Sequence, residues 1–510
     1  MSVSESLVFD LLPLQNGVTP EVADSVTAVG VVIAYFALMV GIGILYAKRA
    51  HASTADFWIA GGSVSLRVQV FAFFAAVVSG GTFFGIGGMA YGFGLGAMAV
   101  FLSAILGGLV FMMIFVAAPM RRAGVYTVPD YLKLRYDSAN VRIVAALLFA
   151  VFSWAYLIPQ LTAAGITVDF VLPNVGYSAG VFIATLVFAL YVSVGGMWAV
   201  TWTDFIQGII VIFLALVPVP FIIWDLGAGG SISTAIANNP DFGGTAAPGL
   251  FLIGLAVTWV LAPLGLPYFG QRILSSESDR VARRSIMWLS VVYLIVFGFM
   301  GVFVPAGAMA IEPNLADADY FYYAVLAEYA GPIVQGFGAA ALFAAVMSTT
   351  DALLIALSAS LSHDIPETLG MDLDEQKETW LGALIIWVGA FSAAWIALSP
   401  PAIIGLMITL VAGGAASGLF PAMAIGTWWK RANAQGAIAA MLLGTLTYGG
   451  LLVADVFATA NAEVLVSVPV GIAALVVGSY LTERPSSQEL KNFQKFHRKQ
   501  STEQTTSADD

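Results

Sequence analysis

The chain consists of one apolar segment after another, each about as long as a bilayer is thick, separated by short polar segments. A helix needs about 20 consecutive apolar residues to cross the hydrocarbon core. A membrane β-barrel would instead show alternating segments of about ten residues. Of the 510 residues, 59% are hydrophobic and 10% are charged, a balance unlike that of a water-soluble domain. The sequence therefore predicts an all-α polytopic membrane protein.

Thirteen spans follow from the apolar runs and from the glycines, prolines and charges between them. Their approximate ranges are 28–47, 66–91, 95–118, 141–165, 177–196, 200–224, 247–270, 285–309, 331–362, 380–398, 401–428, 433–454 and 464–482. With these spans, all 20 lysines and arginines fall on one side of the membrane. Basic residues favour the cytoplasmic side, and an odd number of spans separates the termini. We predict a multi-pass plasma-membrane protein with its N-terminus outside and its C-terminus in the cytoplasm.

Three regions are expected along the chain. Residues 1–27 form an extracellular N-terminal segment, residues 28–482 form the transmembrane domain, and residues 483–510 form a cytoplasmic polar tail. The tail ends in STEQTTSADD, and its composition is typical of a solvated, flexible extension.

Composition and motifs exclude several classes of protein. The chain has no cysteine, which rules out disulfides and thiol chemistry. Its three histidines lie in or beside polar segments, so no histidine metal cluster is expected inside the membrane. The net charge of −11 argues against nucleic acid as a partner. Without a phosphate-binding loop or a Ser/His/Asp set of plausible geometry, we do not expect an enzyme.

Two of the predicted spans contain helix-breaking sequences. The second contains SGGTFFGIGG at 79–88, and the seventh contains LAPLGLP at 261–267. A broken helix is tolerated in a membrane only where the break lines a cavity or other protein. Each broken span begins a set of five, and because five is odd the two sets insert in opposite directions. The pattern predicts a five-plus-five inverted repeat with a ligand held beside the breaks, whereas the alternative is that the glycines only allow close helix packing.

Polar residues inside the spans form a second pattern. The ninth span contains AAVMSTTDALL at 344–354, in which Ser348 and Asp351 share one helical face. Hydroxyls, carbonyls and carboxylates are hard oxygen ligands suited to a small hard cation. Asp204 lies in TWTDFIQG, near the cytoplasmic start of the sixth span. It is either a second cation ligand or an acid favoured by the dipole at a helix N-terminus.

These segments resemble the sodium/solute symporter family. The resemblance rests on VSGGTFFG in the second span, WTDFIQG in the sixth, AAVMSTTDALL in the ninth and WWKRANAQGAIAAMLLG after the eleventh. It extends over nearly the whole chain, from about residue 28 to residue 482. The pattern is most similar to the branch of pantothenate, proline and monocarboxylate permeases.

The resemblance implies a thirteen-helix, five-plus-five fold that works by alternating access with Na⁺ as coupling ion. Carried onto this chain, the main sodium site of the family consists of backbone carbonyls and two hydroxyls. The carbonyls are those of Ala75, Val78 and Ala345, and the hydroxyls are those of Ser348 and Thr349.

A second cation site, present in some members of the family, matches Asp204, Ser348 and Asp351. Here the chain departs from the usual pattern, in which a hydroxyl residue stands at the position of Asp351. Two neighbouring carboxylates repel each other unless a cation or a proton lies between them. The hypothesis is a tighter second sodium site or a proton-responsive one.

Solute contacts are expected near the breaks and on the facing helices. The family pattern implies the polar and aromatic side chains of Thr82, Phe83, Trp154, Gln160, Trp259, Tyr268 and Gln271. Aromatic residues in spans more often pack than bind, and Gln160, an amide beside Pro159 in an apolar stretch, is the best candidate. Exposed helix N-termini at the breaks favour an anionic or zwitterionic carboxylate.

The predicted function is sodium-coupled symport of a small polar organic solute, such as proline, pantothenate or a monocarboxylate. The expected partners are this solute, the sodium ion and the lipid bilayer. Two alternatives on the same fold are a solute sensor or receptor and a sodium-independent channel or facilitator. A channel only equilibrates its solute, whereas a symporter accumulates it.

Overall fold

The computed structural model describes residues 26–225, 227–371 and 373–497. In this part of the chain nearly everything is helical, and the only β-type contact is an isolated bridge between Val64 and Ser276. The α-helices are, in order, α1 Val26–Ala50, α2 Thr54–Ile59, α3 Leu66–Val77, α4 Gly80–Phe93, α5 Leu95–Phe115, α6 Ala117–Ala123, α7 Val128–Tyr136, α8 Ala139–Val171, α9 Tyr177–Leu216, α10 Pro218–Asp225, α11 Ala228–Asn238, α12 Gly249–Leu261, α13 Pro267–Ser275, α14 Asp279–Ile311, α15 Phe321–Tyr329, α16 Pro332–Ala359, α17 Ile365–Thr368, α18 Glu375–Ala397, α19 Ile404–Phe420, α20 Gly426–Trp428, α21 Ala434–Val453, α22 Val464–Leu481 and α23 Ser487–His497.

The predicted all-α membrane fold is confirmed. Among the described residues, 11 helices are long and apolar enough to cross a membrane, and the bent pair of α3 and α4 makes a twelfth. α9 is 40 residues long, about twice the length that a bilayer core requires. It is interrupted at Gly196, where φ is 50° and where the fifth predicted span ends. Counted as two spans joined at this glycine, α9 agrees with the thirteen-span prediction; the exact count and the inverted repeat stay predictions.

The first predicted break lies between α3 and α4, whose axes differ by 52°. Val78 leaves the helical conformation with ψ of 78°, and Ser79 is extended. α4 begins with a capping box, in which the Ser79 hydroxyl accepts from the backbone N–H of Thr82 at 3.0 Å. The Thr82 hydroxyl also donates to the carbonyl of Val77 at 2.9 Å, on the other side of the break. Short polar side chains therefore satisfy the backbone groups that the break frees.

The second predicted break lies between α12 and α13. A single 3₁₀ turn, Ala262–Leu264, follows α12, and α13 begins at Pro267. Proline lacks an N–H and suits the first position of a helix, so Pro267 begins α13 without loss of a hydrogen bond. Gly265 lies against the backbone of Ala415 on α19, where a Cβ would be 3.1 Å from the carbonyl oxygen.

The predicted polar tail is partly folded. Residues 487–497 form α23, whose Phe496 is fully buried and whose Phe493 is 7% exposed. The Asn492 amide donates to a backbone carbonyl of α7 at 2.7 Å. The interpretation of the tail as solvated, flexible chain is therefore wrong for this helix, because a strongly polar average conceals one narrow apolar face. The remainder of the tail, residues 498–510, and the N-terminal residues 1–25 lie outside the described residues.

Candidate cation and solute site

The N-terminus of α4 faces a buried amide. The Oε1 atom of Gln160, on α8, accepts a hydrogen bond from the backbone N–H of Gly80 at 3.1 Å. This contact assigns the acceptor end of the amide to the Gly80 N–H and leaves the Nε2 donor for another partner. Nε2 is buried and has no hydrogen-bond partner among the described residues. A buried amide donor beside a helix N-terminus is suited to binding a carboxylate.

Two tyrosines that the sequence analysis did not single out complete this region. The Tyr293 hydroxyl, on α14, lies beside Thr82 and has no hydrogen-bond partner in the described structure. Tyr156, on α8, lies beside Ser79 and packs against Tyr268 with 5.6 Å between ring centroids. Both tyrosines lie in long apolar helices, where sequence alone does not distinguish a ring that packs from a hydroxyl that faces a binding site.

Four of the predicted solute contacts have other neighbours. Phe83 packs edge to face against Phe297, and Trp259 donates from Nε1 to the hydroxyl of Thr409 at 3.2 Å. Trp154 is half-buried and donates to Ser392 on α18 at 2.9 Å, whereas Gln271 lines a narrow pocket with residues of α7, α8 and α16. The structure therefore brings Thr82, Gln160 and Tyr268 together around the first break and places Trp154 and Gln271 elsewhere.

The hydroxyls of α16 bind the last carbonyls of α3. Ser348 Oγ donates to the carbonyl of Ala75 at 2.7 Å and also lies 3.0 Å from the carbonyl of Ala345. Thr349 Oγ1 donates to the carbonyl of Ala76 at 2.7 Å. Two adjacent hydroxyls thus meet two adjacent carbonyls at the end of the first half-helix. Each of these groups carries an oxygen atom, the ligand that a small hard cation prefers.

Three members of the predicted sodium site are in direct contact, namely Ala75, Ala345 and Ser348. Thr349 contacts the carbonyl of Ala76, which the resemblance did not include. Val78 is the C-terminal cap of α3, at the point where the backbone leaves the helix. The described geometry therefore makes the carbonyl of Ala76 an additional candidate ligand.

Both candidate acids lie near a polar bridge between three helices. The Tyr35 hydroxyl, on α1, accepts from Gln207 Nε2 at 2.9 Å and lies 3.2 Å from Met347 Sδ. Asp351 follows Met347 by four residues on α16, and Asp204 precedes Gln207 by three residues on α9. Each acid is therefore one helical turn from the bridge. Both are fully buried, and neither carboxylate oxygen of Asp351 has a hydrogen-bond partner in the described part of the chain.

The directions of the helices show that the two acids lie on the same side of this bridge. Ala28 lies against Gly336 at one end of α1, so α1 and α16 run in the same direction. At the other end, Ala50 lies against Gly196, so the second half of α9 runs opposite to α1. A step forward along α16 and a step backward along α9 both lead toward Gly196. The two carboxylates therefore lie at a similar depth, one turn from Tyr35.

Asp204 has a cationic partner. Its carboxylate forms an ion pair with the guanidinium of Arg272, the sixth residue of α13, and both side chains are fully buried. The backbone carbonyl of Arg272 in turn accepts a hydrogen bond from Gln69, on α3. Arg272 is one of the basic residues predicted to lie on the cytoplasmic side, and its place in the sequence gives no indication of this pair. The reading of Asp204 as no more than a helix N-terminal acid does not fit its position well inside α9.

A buried acid also lies outside the spans, in the loop between α14 and α15. Asp319 Oδ2 accepts from the backbone N–H of Ile404, the first residue of α19, at 3.0 Å. A Cβ on Gly88 of α4 would be 3.1 Å from Asp319 Oδ1. Burial and the neighbouring Asp317 carboxylate raise the pKa of Asp319 well above its usual value. The loop is thereby attached to both α4 and α19.

The fold and the site are those of a membrane transporter built around interrupted helices. The chain belongs to the sodium:solute symporter family, whose model matches residues 57–444. It is therefore a multi-pass membrane protein and a sodium-coupled symporter, with sodium as the coupling ion, and not an enzyme. This confirms the family and the function predicted from the sequence.

Relatives and solved structures agree with this assignment. A protein of Staphylococcus aureus named sodium/proline symporter is 30% identical over 438 residues, which cover 81% of this chain and 83% of the relative. Sodium/proline symporter 2 of Staphylococcus saprophyticus is 28% identical over 440 residues, covering 81% and 84%. A Na⁺-coupled sialic acid symporter in a substrate-bound outward-open state has a TM-score of 0.76 at 19% identity, covering 91% of this chain and 100% of that one. Mhp1, a nucleobase-cation-symport-1 family transporter, has a TM-score of 0.54 at 14% identity, covering 87% and 99%.

Proposed function

We propose that this chain couples sodium entry to uptake of a small solute that carries a carboxylate, with proline as the first candidate. The supporting observation is the pair of unsatisfied donors at the first break, Gln160 Nε2 and the Tyr293 hydroxyl, beside the N-terminus of α4. Two donors and a helix N-terminus together favour a negatively charged group. The names of the staphylococcal relatives support proline in particular.

The break supplies a physical link between ion and solute. On its α3 side, the carbonyls of Ala75 and Ala76 meet Ser348 and Thr349, where we place the sodium ion. On its α4 side, Gly80 meets the amide that we assign to the solute. Because one short non-helical segment joins the two sides, a cation that fixes the end of α3 also fixes the start of α4. Each ligand then strengthens binding of the other by the same factor.

The sodium gradient is sufficient to drive accumulation. An ion that crosses 100 mV gains about 2.3 kcal/mol, and a tenfold concentration gradient adds about 1.4 kcal/mol. One coupled ion therefore supports roughly 500-fold accumulation of a neutral solute. The inward sodium gradient sets the direction of this flow. The location in the plasma membrane, with the N-terminus outside and the C-terminus in the cytoplasm, stays part of the proposal.

Uptake into proteoliposomes tests the function directly. A labelled panel of proline, pantothenate, acetate, pyruvate and glucose is offered with an inward sodium gradient, and with an inward potassium gradient of the same size as control. We expect proline, or another member with a carboxylate, to accumulate above its equilibrium level in sodium alone. Equilibration at the same rate in both salts would favour the channel alternative, and binding without any uptake would favour the sensor alternative.

We extend the proposal to a second cation position between Asp204 and Asp351, close to Ser348. Its support is the burial of both acids and the absence of hydrogen-bond partners for Asp351 among the described residues. A buried carboxylate without a partner is costly in a membrane, and an oxygen-seeking cation offsets that cost.

The substitution Asp351→Asn tests this second position, because it removes the charge and retains the shape. We expect the Hill coefficient for sodium to fall from about 2 to about 1 and the half-saturating sodium concentration to rise about tenfold, which corresponds to about 1.4 kcal/mol. The exposed acid Asp374 provides the control, since Asp374→Asn should change neither quantity. An unchanged sodium dependence together with an unchanged pH profile in Asp351→Asn would eliminate the second site.

A further inference from the structure

Arg272 is held in an unusual way for a buried arginine. Its Nη2 atom contacts the Asp204 carboxylate, and its Nε and Nη1 atoms have no hydrogen-bond partner in the described structure. A buried guanidinium is normally fixed by several of its five donors. Here one ionic contact to one carboxylate holds the side chain, so the head group is free to leave Asp204 without breaking other hydrogen bonds.

The charges of this region do not balance. The two acids of the proposed second cation position contribute two negative charges and Arg272 contributes one positive charge, which leaves a net charge of −1. The polar neighbours Tyr35 and Gln207 are neutral. A single bound sodium ion neutralises the three side chains together. If the guanidinium were absent, the same two carboxylates would face hydrophobic surroundings with a charge of −2.

From these observations we infer that the Arg272 guanidinium, a positive charge fixed to the protein, acts as a stand-in for the coupling cation. The guanidinium pairs with Asp204 when the second cation has left, and a cation that enters between Asp204 and Asp351 displaces it. The inference rests on the second cation position proposed above. Arg272 acts in the half of the transport cycle in which the carrier reorients without sodium or solute bound.

This stand-in matters most in the return step, in which the unloaded carrier reorients. A symporter performs net uptake only if the unloaded carrier can reorient, whereas exchange of labelled for unlabelled solute uses the loaded carrier alone. Reorientation moves buried groups through the closed form of the protein, in which an uncompensated carboxylate is costly. With Arg272 paired to Asp204, the unloaded carrier has one buried carboxylate to compensate instead of two.

Position in the fold supports this role. Arg272 lies on α13, the half-helix that follows the second break, whereas Asp204 lies on α9. Gln69 on α3 donates to the carbonyl of Arg272, so α3 and α13, one half-helix from each broken span, are linked at this residue. The Asp204–Arg272 pair therefore connects α3 and α13 to the part of α9 that follows Gly196, at the depth where the second cation is proposed.

The test compares net uptake with exchange in proteoliposomes for Arg272→Gln. Net uptake is measured with an inward sodium gradient, and exchange is measured with equal, saturating sodium and solute on both sides. We expect net uptake to fall more than tenfold, whereas exchange stays within about twofold of wild type. The variant Arg283→Gln removes an exposed arginine of α14 and should leave both rates unchanged.

Two further variants keep the test decisive if Arg272→Gln is poorly folded. Arg272→Lys keeps the positive charge and should retain net uptake. Asp204→Asn/Arg272→Gln removes the acid together with the guanidinium that pairs with it, and returns the net charge to −1. Net uptake should therefore recover relative to Arg272→Gln alone, with a lower Hill coefficient for sodium.

A proportional loss of exchange and net uptake in Arg272→Gln, without recovery in the double variant, would show a purely structural role and overturn the inference. Unchanged net uptake in Arg272→Gln would overturn it as well. In either case wild-type uptake driven by sodium would still support the proposed function. The proposed function is contradicted by a different result, namely that the wild-type protein itself shows no sodium-driven accumulation.

Discussion

Alanine at both Ser348 and Thr349 is expected to abolish sodium-driven accumulation of the solute. The two hydroxyls are the side-chain ligands of the proposed sodium site, and the main-chain carbonyls that remain cannot complete the coordination of the ion. Ser348→Ala/Thr349→Ala also removes the 2.7 Å contacts from α16 to Ala75 and Ala76 at the end of α3. Initial uptake in the presence of a sodium gradient should fall at least a hundredfold, to the level of liposomes without protein.

The neighbouring residue Thr350 provides a matched control. Its hydroxyl donates to the carbonyl of Val346 in its own helix at 2.7 Å and makes no contact with α3 that the structure records. Thr350→Ala changes the same kind of side chain at the same depth, and we expect uptake within about twofold of wild type. A mid-span hydroxyl that bonds back to its own helix contributes little to stability.

Solute binding separates loss of the ion site from loss of folding. In the double variant, binding of labelled solute should become independent of sodium, and thermal unfolding in detergent should remain cooperative. If Ser348→Ala/Thr349→Ala accumulated solute normally, or lost uptake only as much as Thr350→Ala, the sodium ion would have to bind elsewhere.

The sequence was sufficient to predict the elements that depend on local chemistry. Glycine and proline inside apolar runs located both breaks, and the order of hydroxyls in the ninth span indicated Ser348, whose hydroxyl meets the end of α3. The roles of Ser348 and Asp351 in cation binding stay predictions. These signals are local because a helix of this length forms wherever apolar residues continue, and stops where backbone donors are missing. The family resemblance added the pairing of α16 with the carbonyls of α3.

The sequence did not predict the contacts between distant segments. Asp204 and Arg272 are 68 residues apart, and no periodicity indicates which acid an intramembrane arginine meets. Tyr293 is one of 17 tyrosines, and only the fold shows that its hydroxyl faces the break. The docking of α23 was missed for a related reason, because burial of Phe496 depends on the surface that α6 and α7 provide.

A second buried arginine lies at the start of the predicted fourth span. Arg142, on α8, is fully buried and forms ion pairs with Asp364 at 3.0 Å and with Asp130 and Glu367 at 2.8 Å. Asp130 belongs to α7, Asp364 ends the π-helical turn that follows α16, and Glu367 lies in α17. His363 adds a contact to Asp130 at 3.3 Å. One guanidinium therefore holds together three segments that carry mutually repelling carboxylates.

Arg142→Gln is expected to destabilise the protein by about 3–5 kcal/mol, because removal of one partner from a buried ion pair leaves the other charges uncompensated. The control is Lys133→Gln, since Lys133 contacts the same Glu367 from an exposed position at 3.4 Å and should contribute at most about 1 kcal/mol. Denaturant-induced unfolding in mixed micelles measures the free energy of unfolding of both variants. Adding Asp364→Asn to Arg142→Gln removes one of the repelling charges and should restore part of the loss, as a coupled pair requires. Equal stabilities for Arg142→Gln and Lys133→Gln would mean that the three segments are held by apolar packing, and that the carboxylates around Arg142 are neutral or solvated.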